Sequence, residues 1–203
     1  MRSLDRHLYL DVNSLTRHSH WAHGFMGAYA NWAGLTVLTV LVLGAFLWAR
    51  RRGSLDGVVT AVLAGVSAVV ALGINHFVSQ AVARVRPCHA LVAHHHLDIL
   101  LACARDYSFP SDHAMIGGGI AIGLVFFSRR LGAVAILLAL LLAFARVYAG
   151  VHYPADVVAG LIGGGLVATV LWLLLRAPAM ALAVKLSHTP LRPLVAGGMP
   201  IRT

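Results

Sequence analysis

Arg146-Val147-Tyr148-Ala149-Gly150-Val151-His152-Tyr153-Pro154-Ala155-Asp156 lies between two apolar runs, 132–148 and 155–175, and its reading decides the fold. Each run is near the length a helix needs to cross ~30 Å of hydrocarbon. Arg146 therefore ends one membrane helix and Tyr153-Pro154 opens the next, which puts His152 and Asp156 one helical turn apart. Three more apolar runs, 24–48, 57–82 and 114–128, precede the pair. The expected architecture is all-α: a polytopic membrane bundle of about five spans with a short amphipathic helix at the N-terminus.

Composition agrees. The 203 residues are 59% hydrophobic and only 11% charged, with a mean hydropathy of +0.80, values typical of membrane proteins. The net charge of +9, with no glutamate, would suit nucleic acid. Yet the arginines stand at the ends of apolar runs and not along one polar face, so no nucleic acid is expected. Residues 1–11 lack an apolar core followed by a small-residue cleavage site, so no removable signal peptide is expected.

The third and fourth runs are short. Between His113 and Arg129, or Arg130 and Arg146, a helix rises only ~22 Å, less than the hydrocarbon core. Arg129 and Arg130 can snorkel to the headgroups, so the recessed ends are those carrying His113 and Arg146. Arg50-Arg51-Arg52, Arg129-Arg130, Arg176, Lys185, Arg192 and Arg202 all follow odd-numbered spans, which places them on the cytoplasmic side. Arg2, Arg6 and Arg17 break the pattern. An amphipathic surface helix with Leu4, Leu8, Val12 and Leu15 on its apolar side accommodates them, and no sixth span is available there. Gly117-Gly118-Gly119, Gly123, Gly160 and Gly163-Gly164-Gly165 mark close helix contacts. The chain divides into a membrane domain, 1–176, and a cytoplasmic tail, 177–203, with a short surface helix near 180–186.

Two other segments share the side of the membrane that holds Arg146 to Asp156. One is Arg86-Pro87, after the second span; the other is Phe109-Pro110-Ser111-Asp112-His113, before the third. Ser111 or Asp112 would cap that helix, leaving backbone N–H groups for an anion. His113 can exchange a proton near neutral pH. Arg86 and Arg146 supply forked donors matched to phosphate oxygens. An aspartate bonded to one nitrogen of His152 would leave the other as a nucleophile. Buried charges without partners are costly, so this set in an apolar sequence points to phosphate chemistry rather than packing.

These residues resemble the type 2 phosphatidic acid phosphatase (PAP2) superfamily, with its Lys-x6-Arg-Pro, Pro-Ser-Gly-His and Ser-Arg-x5-His-x3-Asp pieces. The resemblance covers residues 79–156. The Phe-Pro-Ser-Asp-His form looks like the bacitracin-resistance type of undecaprenyl-diphosphate phosphatase, which the short N-terminal helix and five-span layout also fit. The resemblance implies that His152 is a nucleophile forming a phosphohistidine. Asp156 would orient it, and His113 would protonate the leaving group and then activate water. Arg86, Ser111 and Arg146 match phosphate-binding positions, with Asp112 as the subgroup's variant; no metal or other cofactor is required. Two positions depart from the pattern: Ser79 stands at the expected lysine and Ala145 at the expected serine. Arg84 would replace the lysine's charge if it turned inward.

The expected activity is hydrolysis of a lipid diphosphate, undecaprenyl diphosphate foremost, on the outer face of a bacterial inner membrane. The enzyme would thereby recycle a peptidoglycan carrier. Its partners would be the polyprenyl diphosphate and membrane lipids, with no obligate protein partner. Phosphatidic acid, phosphatidylglycerol phosphate or transfer to a lipid acceptor are the rival substrates and reaction. A small anion transporter, or a noncatalytic scaffold, is the rival of another class.

Several polar residues have milder readings. His89, His94, His95, His96 and Asp98 are suitable metal ligands, but three consecutive histidines do not easily converge on one ion. Arg105 and Asp106 either meet the headgroup or pair with each other. Asn75 and His76 suggest interhelical hydrogen bonds, and Trp21, Trp32 and Trp48 interface anchors. Cys88 and Cys103 either form a disulfide or remain two small unpaired residues.

Overall fold

Six helices carry the fold in the computed structural model, which describes residues 2–93 and 95–197. His94 and Arg202 lie outside the described residues. The first helix, α1, spans Arg2–His18. The second, α2, runs as a continuous helix His20–Arg51, with a π-helical stretch at Tyr29–Ala33. It is followed by α3 (Leu55–Val82), α4 (Asp112–Phe127), α5 (Arg129–Tyr148) and α6 (Pro154–Ser187). Four of them, α2, α3, α5 and α6, are long and apolar enough to cross a membrane.

The fifth apolar helix, α4, has 16 residues and rises only ~24 Å. It can be short because other helices enclose it: Ala114, Met115, Ile120, Ala121 and Leu124 are buried, so its ends need not reach the headgroups. Contact with its neighbours is backbone to backbone. A Cβ on Gly118 would lie 2.2 Å from the Leu161 carbonyl oxygen of α6, and one on Gly164 would lie 1.9 Å from that of Met115. Ser67 of α3 fills the remaining polar need by donating to the Gly119 carbonyl at 3.2 Å. The recessed start of α4 leaves space at one end of the bundle, and the site lies there.

Local signals explain the helix ends. Ser54 caps α3 by accepting from Gly57 N–H, and Ser128 caps α5 by accepting from Leu131 N–H. The latter extends α5 three residues ahead of the apolar run. At its far end α3 stops on Ala83, whose φ of +48° turns the chain out of the helix.

Two expectations need correction. The break expected at 176/177 falls inside a continuous helix, because α6 runs through Pro178 to Ser187. Its extension is not a free tail: Ala183, with Val195 of the following short turn, buries against Leu55, Val59 and Leu63 of α3. Arg176 reaches Asp56 at 2.8 Å. The amphipathic α1 is present, and Leu4, Leu8 and Leu15 do face outward, but Val12 is half-buried. The opposite side of α1 is not a solvated face. Asp5, Tyr9, Asn13 and Thr16 are buried there, and each bonds another segment of the protein.

Candidate active site

Arg86, Asp112, His113, Arg146 and His152 line one cavity of about 320 Å³, with Asn31, Asp106 and Val151 completing much of its polar and apolar wall. Four chain segments meet here for identifiable reasons. The α5–α6 turn is tight because Gly150 adopts φ +82°, which carries the chain back so that Arg146 and His152 face each other. Pro154 starts α6 without wasting a backbone donor, and Asp156 Oδ2 accepts from Tyr153 N–H at 2.8 Å, locking the first turn. The long α3–α4 segment brings Arg86 and Ser108 over this turn and is tied by a Cys88–Cys103 disulfide.

His152 is 1% exposed and its tautomer follows from its partners. Nδ1 lies 2.9 Å from the Ser108 carbonyl oxygen, which can only accept, so Nδ1 carries the proton. Nε2 lies 2.9 Å from Arg86 Nη1 and 3.3 Å from Arg146 Nη2, groups that can only donate, so Nε2 presents its lone pair. Burial, together with the charges of Arg146 and Arg86 and against the pull of Asp156, lowers the imidazole pKa to about 4. It is therefore neutral at physiological pH.

Asp156 does not hold His152 by the direct bond read from the i, i+4 spacing. Its Oδ2 is 3.7 Å from Nδ1, beyond hydrogen-bond reach. Ser108 stands between: its carbonyl takes the imidazole proton and its hydroxyl donates to Asp156 Oδ2. Ser108 carries no motif signal beyond its closeness to Phe109-Pro110, and sequence reasoning missed it. Arg84 turns inward but not into the cavity. It bonds Asp156 Oδ1 at 2.6 Å and Asp5 Oδ2 at 2.5 Å, and lies over the Tyr153 ring at 4.0 Å.

Ser111 occupies the N-cap of α4, yet its hydroxyl makes no capping bond. The Oγ is fully buried and without a partner among the described residues. Asp112 accepts from Asn75 Nδ2 at 2.6 Å, and Asn75 also donates to the Pro110 carbonyl at 3.0 Å. The intramembrane asparagine thus orients the start of α4, while its neighbour His76 is exposed on the outside of the bundle. His113 Nε2 donates to the Asn31 carbonyl of α2 at 3.2 Å.

The three arginines differ in charge balance. Arg84 meets two carboxylates and Arg86 meets Asp106 at 2.7 Å. Asp106 therefore serves Arg86, not Arg105. Burial alone would raise the Asp106 carboxyl, but the hydrogen bond and charge of Arg86 hold it below its usual range. Arg146 has no carboxylate within ion-pair distance among the described residues. It donates to the Ala30 carbonyl at 3.1 Å, and its Nε has no partner among the described residues.

Among the described residues of the histidine-rich loop, the histidines turn to different partners. His89 turns to the Ala104 carbonyl and His95 to Arg6. Away from the cavity, His20, His23 and Asp98 bring possible metal-ligand atoms within 4.8 Å of one another.

The model of the PAP2 superfamily matches residues 59–178, more than half of the chain and all of the cavity's motif residues. The chain belongs to the PAP2 superfamily. This PAP2 protein is 34% identical over 99 residues to undecaprenyl-diphosphatase BcrC of Bacillus subtilis, covering 49% of each chain. It is 33% identical over 96 residues to an undecaprenyl-diphosphatase of Sulfolobus acidocaldarius, covering 47% of this chain and 45% of that one. The PAP2 match thus spans about half the length of these relatives. A PAP2-type phosphatidylglycerolphosphate phosphatase from Bacillus subtilis shares the fold at a TM-score of 0.55, with 21% identity over 84% of this chain and 83% of that one. With its long apolar helices, this PAP2 protein is a multi-pass membrane protein.

Proposed function

We propose that the protein hydrolyses a lipid diphosphate, undecaprenyl diphosphate foremost, to the lipid monophosphate and inorganic phosphate. The observation that carries this reading is the Arg146–His152 pair. A buried guanidinium without a carboxylate partner faces a neutral imidazole whose Nε2 lone pair points into the same cavity. An oxyanion supplies the charge that Arg146 lacks, and Arg146 Nε is a donor without a partner among the described residues; Ser111 Oγ, also without a partner, lies outside the cavity lining.

The proposed reaction takes the residue roles that the resemblance implies, and the cavity geometry supports them. Phosphate oxygens take the donors of Arg86 and Arg146 that now rest on Nε2, freeing the lone pair toward phosphorus. Nε2 forms the N–P bond while the bond from phosphorus to the bridging oxygen breaks, and His113 gives its proton to the departing lipid phosphate. Water then attacks the phosphohistidine, losing a proton to His113; the N–P bond breaks and phosphate leaves. The two guanidinium groups stabilise the charge spread over the equatorial oxygens in both steps.

The substrate preference rests on the undecaprenyl-diphosphatase names of the relatives and on the Phe109-Pro110-Ser111-Asp112-His113 form. Placement on the outer face of a bacterial inner membrane rests on charge: Arg50 to Arg52, Arg129, Arg130 and Arg176 lie at the end of the bundle away from the cavity. The disulfide beside the cavity suits an oxidising compartment.

The test is phosphate release by purified protein in detergent, with no gradient, from a panel of undecaprenyl diphosphate, phosphatidic acid and phosphatidylglycerol phosphate. Fastest turnover of the diphosphate supports the substrate; preference for a glycerolipid overturns it. No release from any of them overturns the enzymatic reading in favour of transport or scaffolding.

A further inference from the structure

Arg84, Asp5 and Asp156 form a chain of charge behind His152, on the side away from the cavity, with both carboxylates buried and Arg84 half-buried. Asp5 lies in α1, Arg84 in the extended segment after Ala83, and Asp156 in the first turn of α6. Arg84 Nη2 meets Asp5 Oδ2 at 2.5 Å and Nη1 meets Asp156 Oδ1 at 2.6 Å. The guanidinium plane is packed over the Tyr153 ring. Asp5 is held in turn, since its Oδ1 accepts from Ala155 N–H at 2.9 Å. The Arg84 carbonyl accepts from Ser108 N–H at 2.7 Å, so the same residue fixes the backbone whose carbonyl orients His152. These bonds sit beside the motif residues, yet none of the atoms involved lines the cavity.

We infer that Arg84 and Asp5 are positioning residues for the catalytic histidine: Arg84 holds Asp156 and Ser108 in place, and Asp5 sets how much of the Arg84 charge Asp156 receives. This deepens the phosphatase reading and rests on it. It also gives the N-terminal helix a role in the chemistry, because α1 supplies one end of the chain while Leu4, Leu8 and Leu15 face outward where lipid would lie. The charge at Ser79, where the superfamily carries lysine, is thus not replaced at the phosphate by Arg84. Arg84 works one layer behind it.

The electrostatics give the inference a distinctive signature. His152 is faced by Arg86 and Asp106 from the α3–α4 segment, Arg146 from α5, His113 from α4 and Asp156 from α6. Of these groups only Asp156 bonds Arg84, and none bonds Asp5. Without Arg84, Asp156 acts on His152 uncompensated and favours imidazolium, so the acid limb of kcat/KM moves up in pH. Without the Asp5 charge, Arg84 compensates Asp156 more fully, and the limb moves down. Opposite shifts are not expected from two variants that merely loosen the fold.

The experiment compares wild type with Arg84→Gln, Arg84→Lys and Asp5→Asn in detergent, measuring kcat, KM and the pH profile on undecaprenyl diphosphate, with thermal melting alongside. Arg84→Gln should lower kcat about 10- to 100-fold with KM nearly unchanged, the range expected on losing a charge-assisted bond in the transition state. Arg84→Lys should restore part of that, and Asp5→Asn should cost less than Arg84→Gln. Acid limbs moving in opposite directions support the inference. A rise in KM at constant kcat in Arg84→Gln would show Arg84 binding phosphate instead and overturn it, as would wild-type kinetics in both charge-removing variants, or limbs shifting the same way. If Arg84→Gln does not fold, Asp5→Asn decides: a lowered kcat with a downward acid limb supports the inference, and wild-type kinetics or an upward limb overturns it. A wild-type protein without turnover, or turnover surviving in His152→Ala, instead overturns the underlying phosphatase reading.

Discussion

The cavity end of the bundle and its middle, where α4 lies against α6, are both tightly determined, but by opposite means. At the cavity, polar bonds hold the side chains: the Ser108 hydroxyl, Arg84 and the Tyr153 N–H surround Asp156, and the Ser108 carbonyl with two guanidiniums surrounds His152. In the middle, Gly118 and Gly164 admit backbone where side chains would stand. The first region spends stability on buried charge to set up a reaction, and the second recovers it by close packing. Substitutions should therefore divide cleanly, with chemistry lost at one end and folding lost in the middle.

The largest effect tests that division directly. His152→Ala should lower kcat by at least about 10³-fold, the scale for removing a nucleophile, while circular dichroism and melting stay near wild type. A matching collapse of the fold would break the comparison. Gly164→Val should do the reverse. Its side chain meets the Met115 carbonyl and Gly119 N–H, so folded yield should drop, with a cost of about 1–3 kcal/mol or more. Thermal melting checks it, and any protein that does fold should retain kcat.

Smaller effects sharpen the picture of the cavity. Arg146→Lys keeps the charge but loses the fork, and phosphate release should fall about 10- to 100-fold. The pH profile should show the neutral His152. Because its folded pKa is lowered to about 4, kcat/KM should fall on acidification through pH 4, not through the ordinary 6.5. The unfolded chain takes up that proton first as pH falls below 6.5, so stability should also decline there. Asn75→Ala should have the smallest effect, at most about tenfold on kcat, since it orients Asp112 without lining the cavity.

The spans were legible because each apolar run approaches membrane length, a property of consecutive residues. The cavity's arginines and histidines were legible because charge in an apolar sequence is conspicuous. Ser108 was not, since a serine in a polar loop has no distinguishing neighbours, and the carbonyl that orients His152 belongs to the backbone. Asp5 was hidden for a related reason. Leu4, Leu8 and Leu15 announce a surface helix, and nothing local reveals that its other side is bonded into the bundle. The helix beyond Arg176 was misread because Pro178 resembles a stop; packing of Ala183 against the start of α3 overrides it.

By itself, the amino-acid order determined the helical class, the approximate spans, and the collection of arginine, histidine and aspartate suited to phosphate. Only the tertiary structure decided which partner each one takes. Arg86 and Arg146 turn to His152, Arg84 to Asp156, and Ser108 comes between imidazole and carboxylate. The physical reason is that hydropathy and capping act over one or two helical turns, whereas a hydrogen bond between residues 5 and 84, or 108 and 152, exists only after α1, α3, α4 and α6 have packed.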